Sequence, residues 1–359
     1  MSRSILRDAI LSGDTPRNRW LSGAIAALLI AMLLAPFLGA GQSLINALAR
    51  IAIFMILVAS FDLLLGYTGL ISFAHTMFFG VGAYGIGLSA SYLGANTGAL
   101  LTGLGLSLAV SIGLAAVIGA CSIRVRAIFF AMITLAVGSV FAILVTQYYE
   151  ITGGHDGRNF QIPRFFRPVN VLVGPEVFGI ALTGSTLVYF LIIVVSVACF
   201  LAMLRLVNSP FGRALQAIRE NEFRAAAVGI DVFQFRILIN CISASFACIA
   251  GCLYALWVRY VSPDTTMGTQ VMLDILLMTV IGGMGTLYGA VIGSALFVLA
   301  DTYLKGVISA LAPSLDGVPV LSALVHPDRW IFWLGLMFVL CVYYFPEGVV
   351  GRLRGRTAR

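Results

Sequence analysis

Residues 63–87 read LLLGYTGLISFAHTMFFGVGAYGIG. The stretch is apolar enough for a membrane, yet it carries repeated glycine, one histidine and several small hydroxyl residues. A helix facing lipid gains nothing from that mixture. Hydrocarbon satisfies no backbone N–H or C=O, so irregular chain at membrane depth persists only where protein encloses it or a cavity hydrates it. Glycine adds close helix approach and unusual dihedrals. The stretch therefore reads as a broken membrane segment facing a bundle interior, part of a translocation pathway.

Composition agrees with that setting. Of 359 residues 60% are hydrophobic and only 10% charged, where soluble domains carry about a quarter charged. A soluble reading is excluded, and residues 1–359 read as a single integral membrane unit. The net charge of +7 gathers in residues 3–19, 205–236 and 351–359. These clusters flank apolar runs, so they read as cytoplasmic retention charge and not as a nucleic-acid surface. Arg3 and Arg7 are not followed by a short apolar core with a small-residue cleavage site, which argues against a signal peptide. The six cysteines show no CxxC and no Cys/His metal spacing. Cys241, Cys248 and Cys252 share a helical face and read as small packing residues.

A membrane-spanning helix needs about 20 apolar residues. Runs of that kind predict helices near 20–39, 43–64, 69–92, 99–122, 127–148, 185–206, 234–258 and 329–346. Residues 271–304 are divided by glycines and read as a re-entrant hairpin or two short spans, crossing a net zero times. Arginine placement then puts 1–19, 209–233 and 347–359 in the cytoplasm, with both termini, and 150–184 outside.

The second glycine break, Gly282, Gly283, Gly285, Gly289 and Gly293, answers the first, Gly66, Gly69, Gly80 and Gly82. Interrupted hydrophobic segments in corresponding halves point to a transporter's central pathway; a small-residue packing face explains the second set equally well. The candidate pathway residues are Tyr67, Ser72, His75, Gly282 and Gly283. Asp62, His75 and Asp274 are the ionisable groups nearest the breaks, and such groups within a membrane are functional candidates by default. For His75 the competing reading is structural, a ring bonded to backbone freed by the break.

Residues 209–236, SPFGRALQAIRENEFRAAAVGIDVFQFR, are polar and lie between two apolar runs. Ser209–Pro210 starts a helix and Gly229 stops it. Leu215, Ile218, Ala225 and Val228 form the apolar side against Arg213, Arg219, Glu220, Glu222 and Arg224. The residues 213–229 predict one amphipathic helix, either a solvated loop helix or one that enters a partner's groove and passes motion to the bundle.

GRALQAIRENEFRAAAVGI, LLLGYTGLISFAHTMFFGVGAY, TGGHDG, VIGGMGTLYGAVIG and FPEGVVG lie between residues 62 and 351. With these motifs in family order, the chain resembles the branched-chain amino acid permeases of ABC importers, in particular the M-type subunit. The resemblance implies an all-α polytopic bundle of the type II importer class in a bacterial inner membrane. It implies a heterodimer with a second permease, two cytoplasmic ATP-binding subunits and an extracytoplasmic solute-binding protein. The contact with the ATPase would use Arg213, Arg219, Glu220, Glu222 and Gly229, and the binding protein would dock on His155, Asp156, Arg164 and Arg167. The implied cargo is an amino acid, branched-chain first, with urea or short amides as alternatives. The chain departs from the family pattern at Arg158 after TGGHDG, at Ala290 where proline is common, and at Glu347 after FP.

Chemistry is absent from the motifs. No GxxxxGK[ST], HExxH or GxSxG occurs, so the chain cradles no nucleotide phosphate by a P-loop and shows no hydrolytic cluster. It reads as a non-enzymatic transport subunit with no cofactor and no metal. Energy comes from a partner or from a gradient; a gradient-driven secondary transporter or channel is the rival reading, and a membrane enzyme stands third.

Overall fold

Because lipid leaves the backbone only its own partners, the elements are nearly all helices. The computed structural model describes residues 19–37, 41–122, 127–167, 171–173, 182–311, 329–345 and 348–355. The expectations for residues 1–18, for Glu347 and for the last four residues fall outside that set, as does part of the 150–184 loop.

The first five helices are α1 (Arg19–Leu34), α2 (Gln42–Thr68), α3 (His75–Tyr92), α4 (Thr97–Ser122) and α5 (Ala127–Gln147). After a loop come α6 (Gly184–Asn208), the short α7 (Pro210–Glu220) and α8 (Glu222–Ala227), then α9 (Val232–Val258). The chain closes with α10 (Thr269–Gly282), α11 (Leu287–Leu311), α12 (Trp330–Tyr344) and α13 (Gly348–Gly355). Among the described residues eight helices are long and apolar enough to cross a membrane. The membership differs from the sequence-based set. The 271–304 stretch supplies two of the eight, and its second helix, Leu287–Leu311, is a full 25 residues and not a short span. α1 is shorter than a span, and α3 is not among the eight.

α2 is the axis of the bundle, with Ile51, Ile53, Ile56, Leu57 and Phe61 wholly buried. α9, α11, α6 and α10 pack on it, and α3 and α4 pack on α9 and on each other. The approach of α3 to α9 is backbone to backbone. A Cβ at Gly82 would overlap the Cys248 carbonyl, and one at Gly251 would overlap that of Phe79. Small residues in a membrane bundle do this because dispersion, and not water exclusion, holds the helices together. α5 stands apart, with Ile128, Phe129, Met132, Val140 and Ile143 exposed.

The two ends of the bundle differ. One end carries α7, α8, the C-terminus of α2, the α10–α11 turn and α13. The other carries Tyr149–Thr152, a 3₁₀ turn at Gly154–Asp156, and a two-residue antiparallel pairing of Arg158–Asn159 with Tyr260–Val261.

Candidate functional site

The opening motif breaks as its glycines foretell. α2 ends at Gly69 in the left-handed region (φ 72°), with Gly69 N–H on Leu65 O and Leu70 N–H on Leu64 O, a Schellman-type stop. The chain then runs non-helically to His75, whose Nε2 lies 2.8 Å from Ser60 Oγ on α2. Ser60 is eight residues before the helix end, so the segment climbs back by about 12 Å. α3 therefore starts inside the bundle, and the expected span at 69–92 loses its first quarter. The climbing backbone is held by protein. Phe73 N–H donates to Thr134 Oγ1 of α5 at 3.1 Å, and Leu70 packs with Phe130 and Phe233.

The second break meets the first at the α7 end. α10 stops at Gly282, and Gly283 (φ 110°) and Gly285 (φ 80°) turn the chain into α11. Gly285 N–H donates to Asp62 Oδ1 at 2.8 Å. Gly66 faces Gly285 so closely that a Cβ on Gly66 would collide with the Gly285 backbone, whereas one on Gly285 would stand 3.3 Å from Gly66 O. The guanidinium of Arg219, from α7, donates to Gly66 O. A Cβ at Gly348 would strike Gly283, so α13 closes the same cluster.

The five expected pathway residues consequently fall into two layers. Gly282 and Gly283 pack on Gly289 and Gly348 at the α7 end. Tyr67 is buried near the end of α2, whereas Ser72 and His75 are buried among the bundle helices at the broken start of α3. The two glycine breaks come together, but the glycines serve helix and turn packing.

A cleft of about 640 Å³ lies elsewhere, beside α5. It runs from Phe73 and Thr76 past Ser139 and Thr146 to Gln147, with His155 and Asp264 at its rim. Sequence reasoning missed it. The signal was present in Thr134, Ser139 and Thr146, which are polar interruptions of an otherwise apolar helix. A second cavity of about 530 Å³ holds Arg50 and Asp274, and Arg50 pairs with Asp301 at 3.0 Å. Neither Arg50 nor Asp301 is singled out by the sequence reading, although each is a lone charge beside apolar sequence.

The segment after α6 is two helices and not one. Ser209 caps α7, its hydroxyl accepting Gly212 N–H at 3.4 Å, and Pro210 occupies the first turn. Asn221 then takes an extended conformation, and its Oδ1 caps α8 by accepting Arg224 N–H at 3.0 Å. Leu215, Ile218 and Ala225 are buried as their spacing predicts. Val228 is not: it is exposed, and so is Phe223, at 89% of its surface. Arg219 turns toward the bundle, and Glu222 receives both terminal nitrogens of Arg236 at 3.2 and 2.9 Å. Arg213 and Glu220 remain at the surface. Gly229 adopts φ 92°, ending α8 in the left-handed region that its identity predicts.

At the opposite end, His155 Nδ1 and Asp264 Oδ2 stand 4.0 Å apart, both largely exposed. The Asp156 carbonyl accepts Tyr260 OH at 2.8 Å. Arg167 is tied locally to Ile162 O and Gln161 Oε1, whereas Arg164 is exposed on a 3₁₀ turn. The Arg158 departure gains a role here. Its guanidinium donates to Tyr92 OH at 3.1 Å and to Ile151 O at 2.8 Å, fastening the loop to the end of α3. Among the described residues no group of three His, Cys, Asp or Glu side chains is placed to hold a metal ion.

The branched-chain amino acid transport permease protein LivM of Salmonella typhimurium is 28% identical over 89% of this chain and 76% of its own length. The protein of that name from Escherichia coli K12 gives the same figures. The permease protein LivH of Escherichia coli K12 is 24% identical over 87% of this chain and 95% of its own length. No solved structure matches. Residues 43–342 match the family described as branched-chain amino acid transport system, permease component. That match takes in both glycine breaks, the α7–α8 segment and all helices from α2 to most of α12, and the chain belongs to this family of polytopic membrane permeases.

Proposed function

We propose that the chain is the M-type membrane subunit of an ATP-driven importer of branched-chain amino acids, without an ATPase site of its own. The observation that carries the reading is the α7–α8 segment. It is held between two spans, capped at both helix starts, rooted on α2 through Arg219, and it presents Phe223 and Val228 to the outside. An apolar side chain so exposed on a rigid element suits insertion into a grooved partner, here a cytoplasmic ATP-binding subunit. The names of the LivM and LivH relatives support the choice of cargo and of a second permease as partner.

In this reading the α7 end faces the cytoplasm, and the strand-paired end faces the solute-binding protein. His155, Asp156 and Arg164 offer the exposed polar contacts there. Arg167 acts within the loop by holding Gln161 and Ile162. The cargo passes along the α5 cleft, whose open side the second permease closes. Ser72 and His75 shape the broken α3 start behind that cleft, and Gly282 and Gly283 act in coupling beside Gly66. Selection of the solute rests with the external protein, because the cleft wall offers hydroxyls and methionine, and its charged groups, His155 and Asp264, stand at the exposed rim.

Reconstitution tests the whole reading. Uptake in liposomes is expected only with the second permease, the ATP-binding subunits, the loaded binding protein and ATP. Uptake by this chain alone, driven by an ion gradient, overturns it. The ligand that copurifies with the cognate binding protein distinguishes a branched-chain amino acid from urea or a short amide.

A further inference from the structure

Asp62 is 1% exposed and uses only one carboxylate oxygen. Oδ1 accepts the Gly285 N–H; Oδ2 has no hydrogen-bond partner. Leaving a buried charged acceptor bare is costly, more so than for a neutral group. A cation stands next to it. Arg219 spends its guanidinium on the neutral carbonyl of Gly66, one helical turn along α2, and its Nη1 would lie 3.3 Å from a Cβ on Gly285. Nothing bulky intervenes, since Gly66 and Gly285 contribute no side chain.

We propose that Arg219 exchanges between Gly66 O and Asp62 Oδ2 as the α7–α8 segment moves, making Asp62 the positioning residue through which that segment grips the bundle. The proposal rests on the reading of the segment as the element the ATPase moves. The Asp62 carboxylate reaches along α2 to Gly66, so closely that a Cβ there would overlap Oδ1, and the two acceptors therefore lie near enough for one rotamer change of arginine to span them. Charge-assisted bonds to carboxylate are shorter and roughly twice as strong as neutral ones. The exchanged state therefore satisfies Oδ2, and the present state satisfies Gly66 O at the end of α2. Asp62 also holds the α10–α11 turn through Gly285, so the exchange reaches both glycine breaks at once.

The test uses the assembled importer in liposomes and reads copurified ATPase together with ATP hydrolysed per solute imported. Asp62→Asn keeps an acceptor for Gly285 and removes the charge; Arg219→Gln removes the donor fork. Each is expected to raise the ATP cost per solute by roughly tenfold, the scale of one hydrogen bond to a charged group, while the ATPase still copurifies. The double variant is expected to be no worse than the poorer single, as for two residues acting through one contact. Ratios near wild type in the singles, or effects that multiply in the double, overturn the exchange. If Asp62→Asn does not insert, Arg219→Glu decides. A carboxylate facing Oδ2 should be much worse than glutamine, and equal behaviour of the two overturns the proposal. A wild-type complex that retains no ATPase overturns the importer reading instead.

Discussion

Arg50 on α2 and Asp301 on α11 form an ion pair at 3.0 Å, and twelve residues further along α2 Asp62 holds the turn from which α11 begins. The same two elements are thus tied at both ends by ionisable groups. The Arg50–Asp301 pair is partly exposed to its cavity, so its net value is discounted for solvent. Removing Asp301 leaves Arg50 with only Asp274 across the same cavity, beside Phe54 and Trp257. Asp301→Ala is expected to destabilise by about 1–3 kcal/mol, and the double Arg50→Leu, Asp301→Leu by less than either single. Thermal unfolding of the purified protein measures this; a double variant worse than both singles would show that the pair does more than compensate itself.

His75 is bonded on one ring nitrogen. Ser60 Oγ can donate to Leu57 O at 2.8 Å, in which case His75 Nε2 carries the hydrogen shared with Ser60, and Nδ1 is buried without a partner. The ring edge also meets Phe61, with centroids 5.4 Å apart. Ser60→Ala is expected to cost about 1–3 kcal/mol by orphaning Nε2, with the same apparent affinity of uptake for its solute. A shift of that affinity at unchanged stability would instead put His75 in contact with cargo.

Arg158 governs the outer loop through Tyr92. The guanidinium lies 4.9 Å from the Tyr92 ring centroid as well as within hydrogen-bond reach of its hydroxyl. Arg158→Ala is expected to lower ATPase activity stimulated by the loaded binding protein at least about threefold, the scale of roughly 0.5–1 kcal/mol for an exposed cation–π contact, while basal activity stays unchanged. Tyr92→Phe keeps the ring and should be milder. Parallel loss of basal and stimulated rates would mean the loop only supports the fold.

The α5 cleft is open to direct labelling. In a background without the six native cysteines, Ser139→Cys and Thr146→Cys should react with small polar thiol reagents, and should be protected during turnover. Val339→Cys, on the exposed face of α12, is the lipid-side control. Reactivity at Val339 with none at Ser139 and Thr146 would remove the cleft from the pathway.

Much of the fold was legible because lipid allows so few solutions. Apolar run length located α2, α4, α5, α6, α9 and α12, and Ser209, Pro210 and Gly229 marked the limits of the α7–α8 segment through their backbone preferences. What was hidden depended on contacts distant in sequence. Nothing local in GYTGLISFAH says that His75 climbs back to Ser60, so the broken start of α3 read as a full span. Asn221 lies inside the single helix expected over 213–229, and its extended backbone and its capping of Arg224 N–H divide α7 from α8. Arg219 and Glu222 stand on the polar side of the segment as their spacing implies, but nothing local foretells that Arg219 donates to Gly66 O or that Glu222 accepts from Arg236. Glycine signals close approach, and the close approach among Gly66, Gly283, Gly285 and Gly348 is between backbones at the α7 end, whereas the hydroxyl-bearing cleft beside α5 has no glycine signature to mark it.

Gly229 and Phe223 separate two ways of damaging the α7–α8 segment, which the proposed function makes the docking element. A Cβ at Gly229 meets nothing within 4 Å, so the cost of Gly229→Val is backbone strain at φ 92°, about 1–2 kcal/mol and more for a β-branched side chain. Insertion should be intact, since the bundle core is untouched, and the ATPase should still copurify. The exit of the chain toward Phe233 should turn, and transport per ATP should fall. Phe223→Ala should act differently. Its ring touches little within the chain, so truncation should leave stability unchanged and remove an aromatic anchor at the partner surface, where such residues contribute about 2 kcal/mol or more. Copurified ATPase is then expected to drop by roughly 30-fold in affinity at 25 °C. If Phe223→Ala retains the ATPase and normal transport, the segment is not the docking element, and the gradient-driven alternative regains its standing.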